Sequence, residues 1–597
     1  MSFAHIFRLG ALLGLWLLSY GLLSGQTRFG PFTAPNSGIT MDLQLYYDNL
    51  PPSGMIPLRL IITNETDRDL SWQLTTESSL RYSRHSSVHT KRASFALPVP
   101  AGSTRRFELL APLHLNDHQS HRFGSSLSLN ISGYGIRSEE MPLRHYAHDG
   151  DISNGFVGLS SNLGRATFSS LQEEMLRTPR GARGRGRSTE LAGTLLPIMF
   201  PAFPADWRGM SGFSLIILKG SDWLDLGDPE RAAVRRWVMH GGDLILIHPE
   251  GESPLMPGLP TELAADGRHP LGHGHLIHRF SADGQAVVGE LVADVELARP
   301  FSDRFASGRT LDQWTARRDL DRGLPGSTLM ILFVFLFGLV IGPINLFVFA
   351  RQKKRARILW TTPLISLIGC LVLLLMILLL EGTGGTGHRT VVAFHDHLRN
   401  EVHMHQEQIT RTGLLLNRRF PLEEGVLIEQ IPHVDPIHES TRTLARTGRE
   451  FGGDWFHNRS MQGHWLRGTT SSRARLTLRV EGEDARLHSS FPDLLDQVFV
   501  RDAEGGFWLC ENLRPGETVS LRPTTRAALR AWLMVETEYA SPSFRTEIER
   551  LFDMLEKHPT EGFFLASTAT PESFVYPTLP SIDWQKSPVL HFGHLSP

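Results

Sequence analysis

Residues 328–350, TLMILFVFLFGLVIGPINLFVFA, and residues 358–380, ILWTTPLISLIGCLVLLLMILLL, are joined by RQKKRAR at 351–357. Neither apolar stretch holds a charged side chain, and each is long enough for a helix rising about 1.5 Å per residue to cross a hydrocarbon core of about 30 Å. The link carries Arg351, Lys353, Lys354, Arg355 and Arg357 with no acid. Cytoplasmic loops are enriched in such residues, so the expected topology is a hairpin with its tip in the cytoplasm and both flanking regions outside.

The N-terminus fits export. Residues 1–25 contain an apolar run behind Arg8, as a signal peptide or an N-terminal anchor would. Leu22 and Leu23 stand where a cleavage site prefers small residues, so both forms stay open. Cysteine occurs twice in 597 residues, as Cys370 in the second apolar stretch and as Cys510. A disulfide framework is therefore not expected, and the exported parts must rest on large cores. The net charge of −2 gives no general attraction to nucleic acid, which is not an expected partner.

Outside the hairpin the texture changes twice. Residues 30–148 alternate in short runs, such as Met41–Tyr47 and Ile56–Ile62, separated by turns like Pro51-Pro-Ser-Gly54. This period of two predicts an antiparallel sandwich resembling an immunoglobulin-like domain. Residues 149–325 read as strand and helix in alternation. Gly155–Ser160 and Ser214–Leu218 are candidate buried strands. A helix follows with Asp228 as cap, Pro229 at its first position and Val234, Trp237 and Val238 as its apolar face. His240-Gly241-Gly242 stops that helix, and Asp243–His248 is the next strand. Residues 383–597 return to strands, with a second sandwich and C-terminal helices expected. In that region Ile548, Leu551, Phe552 and Leu555 form a core-facing stripe. The overall expectation is a multidomain α+β membrane protein.

The stretch from Gly212 to Gly251, with its strand, helix ending in Trp237-Val238, Gly-Gly turn and second strand, resembles the class I glutamine amidotransferase-like domain. That resemblance implies a flavodoxin-like layered fold. It also implies a cysteine nucleophile on the turn after a central strand, where this chain has His248-Pro249-Glu250-Gly251. Proline and glutamate cannot supply thiol chemistry, so the domain reads as a non-catalytic relative. His248, Glu250 and Ser160 are candidates to line a ligand crevice at the C-terminal edge of the sheet. Gly158-Leu-Ser160-Ser-Asn162 does not match a G-x-S-x-G nucleophile elbow.

Gly342-Pro343-Ile-Asn345, the basic loop and Trp360-Thr-Thr-Pro363 resemble a pattern in uncharacterised bacterial membrane proteins that pair an extracytoplasmic amidotransferase-like domain with two helices. Asn345 is expected to bond the other helix. The Arg-Gly-rich stretch Arg177–Arg187 reads as an exposed loop. His395, His397, His403 and His405 form two H-x-H pairs around a short link. If these project to one face of a hairpin they would make a metal site for zinc, copper or nickel.

The expected function is non-catalytic binding or scaffolding at the cell envelope, with the cytoplasmic membrane and envelope proteins as partners. No cofactor is expected. An accessory subunit of a membrane transport complex is one form this would take. The alternative is an envelope hydrolase or metal-dependent enzyme built on residues 149–325 or on the histidine pairs.

Overall fold

The structure is a computed structural model. It describes residues 28–29, 33–34, 36–47, 50–51, 53–81, 88–113, 126–136, 140–144, 156–163, 196–200, 202–250, 256–259, 267–281, 291, 314–322, 327–349, 358–431, 442–481, 484–557 and 562–596. The leader at 1–25, the Arg-Gly stretch at 177–187 and the basic link with Arg351, Lys353, Lys354, Arg355 and Arg357 lie outside the described residues.

The first unit is a two-sheet sandwich. One sheet runs in the order β1 (Arg28–Phe29), β2 (Ile39–Leu45), β3 (Gly54–Asn64), β6 (Ser103–Leu113). The other contains β4 (Leu70–Arg81), β5 (Val88–Val99), β7 (Ser126–Ser132) and β8 (Glu140–Arg144). Leu43, Ile56, Leu58, Leu60, Trp72, Leu74 and Leu97 fill the space between them and are buried. Alternation along each strand sends these side chains to one face, as the sequence predicts.

The second unit is layered α/β. Strands β9 (Phe156–Ser160), β10 (Leu196–Phe200), β11 (Leu215–Lys219), β12 (Asp243–Pro249) and β14 (Gly274–Ser281) are parallel, and β13 (Gly267–Leu271) closes the edge antiparallel. Their spatial order is β10-β9-β11-β12-β14-β13. The parallel strands therefore follow the 2-1-3-4-5 order of flavodoxin-like sheets, with the order reversing between β9 and β11. Helix α1 (Gly220–Asp225) and helix α2 (Asp228–Met239) follow β11. The cap of α2 is Gly227 rather than Asp228, which opens the helix with Pro229 second. Val234, Trp237 and Val238 are buried as predicted, and Gly241, at φ 104°, makes the left-handed exit. The cores of the first two units are continuous.

After helix α3 (Thr315–Arg322) come helix α4 (Ser327–Leu339), continued in a wider π-type winding over Val340–Phe349, and helix α5 (Ile358–Glu381). Ile331–Val348 and Ile358–Met376 are long and apolar enough to cross a membrane, with mean hydropathy 2.6 and 2.3. Most of their apolar side chains have no protein over them. The π-type segment contains Pro343, whose missing N–H breaks the regular ladder. Asn345 is buried between the two helices, donating to Thr362 Oγ1 at 2.9 Å and accepting from Thr361 Oγ1 at 2.7 Å.

The last unit is built on a ten-stranded sheet. Its path includes β15 (Gly385–Asp396), β16 (Glu401–Thr412), β18 (Leu427–Ile431), β21 (Met461–Ser471), β24 (Leu495–Arg501), β25 (Phe507–Leu513), β28 (Phe563–Thr568) and β30 (Val589–His594). Helices α6 (Arg526–Glu536) and α7 (Pro542–Lys557) cover one face, where Ile548, Leu551, Phe552 and Leu555 are buried against Val392 and Phe394. A three-stranded sheet of β22 (Leu476–Glu481), β23 (Asp484–Ser489) and β26 (Thr518–Ser520) contributes to the core on the other face, with Val391 and Ala393. The expected second sandwich is thus a helix–sheet–sheet stack, because the amphipathic helices occupy a face that a sandwich would give to strands.

The halves before and after the apolar helices are not separate. Strands β17 (Phe420–Pro421), β19 (Arg442–Thr447) and β20 (Glu450–Gly453) extend the second sheet of the N-terminal sandwich, in the order β17-β20-β19-β5-β4-β7-β8. Strand β19 lies parallel to β5, with Arg442 opposite His89 and Thr447 opposite Ser94. This covers an edge of β5 that would otherwise offer unpaired N–H and C=O groups.

Close backbone contact holds the end of α2 to the β13–β14 turn. A Cβ on Gly274 would stand 2.1 Å from Gly242 O and 2.4 Å from Val238 O, both backbone atoms that cannot rotate away. Gly274→Ala should therefore lower the thermal midpoint of the detergent-solubilised protein by several degrees or abolish folding. Gly338→Ala, with nothing among the described residues within 4 Å, should leave the midpoint unchanged.

Candidate functional site at the junction of the two halves

The parallel sheet brings Ser160, His248 and Glu250 to its C-terminal edge, but the structure already uses two of them internally. Ser160 Oγ accepts from Asn162 N at 3.1 Å, and Asn162 Nδ2 donates to Asp222 Oδ1. His248 is buried, with Nε2 2.9 Å from His278 Nδ1. Glu250 is exposed just beyond the strand. Hydrogen bonds within the protein thus hold together the edge on which a crevice was expected.

The histidine pairs are divided by strand geometry. Residues 385–412 do form a hairpin, with Phe394 opposite His403, His395 opposite Val402 and Val392 opposite His405. Successive side chains point to opposite faces, so His395 shares a face with Val391 and Ala393, whereas His403 and His405 share the face of Val392 and Phe394. The four imidazoles therefore do not converge. His395 packs among Phe491, Phe574 and His591, with its Nε2 3.0 Å from His591 Nδ1. His397 sits half-buried in the turn.

His403 and His405 meet a different set of residues, delivered by three other elements. His240 terminates α2, His273 lies in the β13–β14 turn between Gly272 and Gly274, and Glu547 comes from α7. His405 Nδ1 is 2.6 Å from Glu547 Oε1, and its Nε2 is 3.0 Å from His240 Nδ1. His240 Nε2 is 3.0 Å from Thr469 Oγ1, which lies 2.9 Å from His403 Nδ1. The His273 ring stacks on His405 with centroids 3.7 Å apart, and its Nδ1 is 2.9 Å from the same Glu547 oxygen. His273, His405 and Glu547 place one donor atom each within 4.8 Å of one another.

Beside this cluster the halves are tied by charge. Arg235, on α2 and buried, reaches Asp396 Oδ2 at 3.2 Å and Glu401 Oε2 at 2.8 Å, and Arg236 reaches Glu401 Oε1 at 2.5 Å. Burial alone would raise the Glu401 carboxyl, but hydrogen bonds from Arg236 and Arg235 outweigh it and bring it down to about 2. The imidazoles go the other way from free histidine. Burial pushes His403 down to about 3 and His240 and His405 well below the ordinary value. Burial also opposes ionisation of Glu547, yet His405 and His273 beside it hold its carboxyl well below the usual range. The neutral form is thus favoured for His240, His403 and His405, and the ionised form for Glu547.

Strand β16 carries much of this. It reads EVHMHQEQITRT, yet nearly all of it is buried between β15 and β21 in the large sheet. Gln406 bonds the backbone of Tyr576 in both directions. Glu407 accepts from Trp465 Nε1 at 3.0 Å and Ser541 N at 2.9 Å, and burial pushes its carboxyl up to about 7. A polar strand at that depth is stable only with its groups paired.

Sequence reading found His403 and His405 but missed His240, His273, Thr469, Glu547 and Arg235. The signals were present as structure, not chemistry: His240 stood in the Gly-Gly helix stop, and His273 in the Gly-His-Gly turn. Nothing in sequence spacing joins them, because their partners lie beyond the apolar helices.

Arg235→Ala should cost about 1.5–3 kcal/mol, since it removes charged hydrogen bonds from Glu401, which keeps Arg236, and from Asp396, which keeps Arg399, and the loss should appear as a lowered thermal midpoint. Glu401 contributes stability that is fully present above the ordinary carboxylate range near pH ~4.3. That contribution is lost as pH falls toward about 2, its folded value. Glu401→Gln should therefore be less stable than the parent at pH 7, and the gap should narrow across that acid window.

No protein-family model matches the chain, and no curated protein matches it. Similarity to solved structures is partial. The sporulation control protein Spo0M from Bacillus subtilis aligns at 12% identity over 23% of this chain and 56% of its own, with TM-score 0.13. The yeast delta-COP-I mu-homology domain, in complex with a Dsl1 peptide, aligns at 10% identity over 36% of this chain and 98% of its own, with TM-score 0.19. A beta-glucuronidase from glycoside hydrolase family 2 aligns at 12% identity over 36% of this chain and 30% of its own, with TM-score 0.17. None of these is close enough to assign a fold or a function.

Proposed function

We propose that this chain is a membrane-anchored protein of the bacterial cell envelope that acts in binding or scaffolding rather than catalysis. Its two soluble halves would form one body on the outer face of the cytoplasmic membrane, as an accessory subunit of a larger membrane complex would require. One observation carries the topology: β19 from the second half pairs with β5 from the first. A hydrogen-bonded sheet cannot be shared across a bilayer, so two apolar helices lying between its strands must enter and leave on the same side. The five basic residues of the 351–357 link then favour the cytoplasm for the hairpin tip.

The non-catalytic reading rests on chemistry. The α/β unit, residues 149–325, has no cysteine, since the two in the chain are Cys370 and Cys510. Ser160 and His248 at its sheet edge are engaged in internal hydrogen bonds. A metal-dependent alternative keeps one specific observation in its favour, the grouping of His273, His405 and Glu547.

Labelling with a membrane-impermeant maleimide tests the topology in a Cys370→Ser background. The buried Cys510 thiol, pushed up to about 12, should stay silent. Arg68→Cys and Glu504→Cys, both at exposed positions, should react in intact spheroplasts. Gln352→Cys should react only after permeabilisation. Labelling of only one of the two outer positions before permeabilisation would refute the shared-side arrangement.

A further inference from the structure

We infer that His273, His405 and Glu547 bind a zinc-class divalent cation, and that this ion fastens the α/β unit to the C-terminal sheet. Two imidazole nitrogens and a carboxylate oxygen form the donor set that borderline first-row ions prefer. Three protein ligands leave a fourth coordination position for water. Glu547 Oε1 lies 2.6 Å from His405 Nδ1 and 2.9 Å from His273 Nδ1, inside the span of about 4.4 Å that two bonds of about 2.0–2.2 Å allow.

A second observation comes from His273 itself. Its side chain is fully buried, and among the described residues neither ring nitrogen makes a directed hydrogen bond. A buried imidazole whose Nδ1 stands 2.9 Å from Glu547 Oε1 but outside hydrogen-bond geometry costs free energy, and a metal ligand is a role that removes the cost.

A third comes from counting protons along the cluster. The chain of contacts runs Glu547–His405–His240–Thr469–His403–Glu401. A neutral imidazole has one N–H and a hydroxyl has one O–H. The three rings and Thr469 therefore supply four protons for the five contacts named. One contact must go without. The open one is at the far end, where His403 Nε2 is buried without a hydrogen-bond partner among the described residues, 3.8 Å from Glu401 Oε2.

A cation held between His405 Nδ1 and Glu547 replaces the proton of the first contact. Every proton can then move one contact toward Glu401, His405 Nε2–H donating to His240 and so on to His403 Nε2–H. The same four protons now satisfy the chain, and Glu401 faces a donor instead of a lone pair. Adding a proton instead would charge a buried ring, which is costly in such surroundings. His240 is thereby the outer partner that orients a ligating imidazole.

The test is zinc binding by the chelator-stripped full-length protein in detergent, read by equilibrium dialysis with elemental analysis and by thermal midpoint. Wild type should take up one equivalent and gain thermal stability. Glu547→Gln and His273→Gln should lose stoichiometric uptake, and His240→Gln should weaken it by about 10–100-fold. His395→Gln, on the opposite face, should bind as wild type does. Glu547 is partly exposed, so its variant carries the test if His273→Gln fails to fold. Failure of the wild type to bind, or equal binding by Glu547→Gln, would overturn the inference. Neither result would alter the topology argued above.

Discussion

The parallel pairing of β19 with β5 is the constraint on which the rest of the arrangement depends. It makes one sheet from two parts of the chain that the apolar helices separate, and it covers an edge of the N-terminal sandwich. The ion pairs of Arg235 and Arg236 with Asp396 and Glu401 join the same two parts at a second place. The histidine cluster joins them at a third, through the contact of His240 with His405. These attachments join the two parts into a single unit, and the proposed membrane topology follows from that unity rather than from hydropathy alone.

The same geometry explains why polar residues accumulate at the centre of the molecule. Strand β16 is flanked by β15 and β21 and is almost wholly buried, so each of its polar side chains must find a partner from another element. Gln406 finds Tyr576, Glu407 finds Trp465 and Ser541, and His405 finds His240 and Glu547. These pairings demand one register and one placement of α2 and α7. An apolar strand would tolerate sliding; this one specifies position.

Much of the local structure was legible because short-range rules govern it. The alternation in Met41–Tyr47 and Ile56–Ile62, the Gly-Gly stop after Trp237-Val238 and the stripe on α7 each correspond to an observed element. Asn345 bonding across the helix pair was legible for the same reason, as a lone amide in an apolar run needs a partner. The histidine hairpin was half legible: the turn was correct, but strand parity sends His395 to the opposite face from His403 and His405. The sharing of strands between halves and the convergence of His240, His273 and Glu547 on β16 were not legible. They depend on which edge meets which, and no periodicity in a single segment encodes that.

The most direct test of the account joins β19 to β5 covalently. Arg92 and Ala445 are register partners, and neighbouring strands hold Cα atoms about 4.8 Å apart, within disulfide range. Arg92→Cys with Ala445→Cys, in a chain with a specific protease site inserted after Gln352, should give one full-length band after cleavage on a non-reducing gel. The same sample should give two fragments once reduced, and each single variant should give two under both conditions. Two fragments from the double variant without reduction would show that the halves do not share this sheet, and the single-body account would fail.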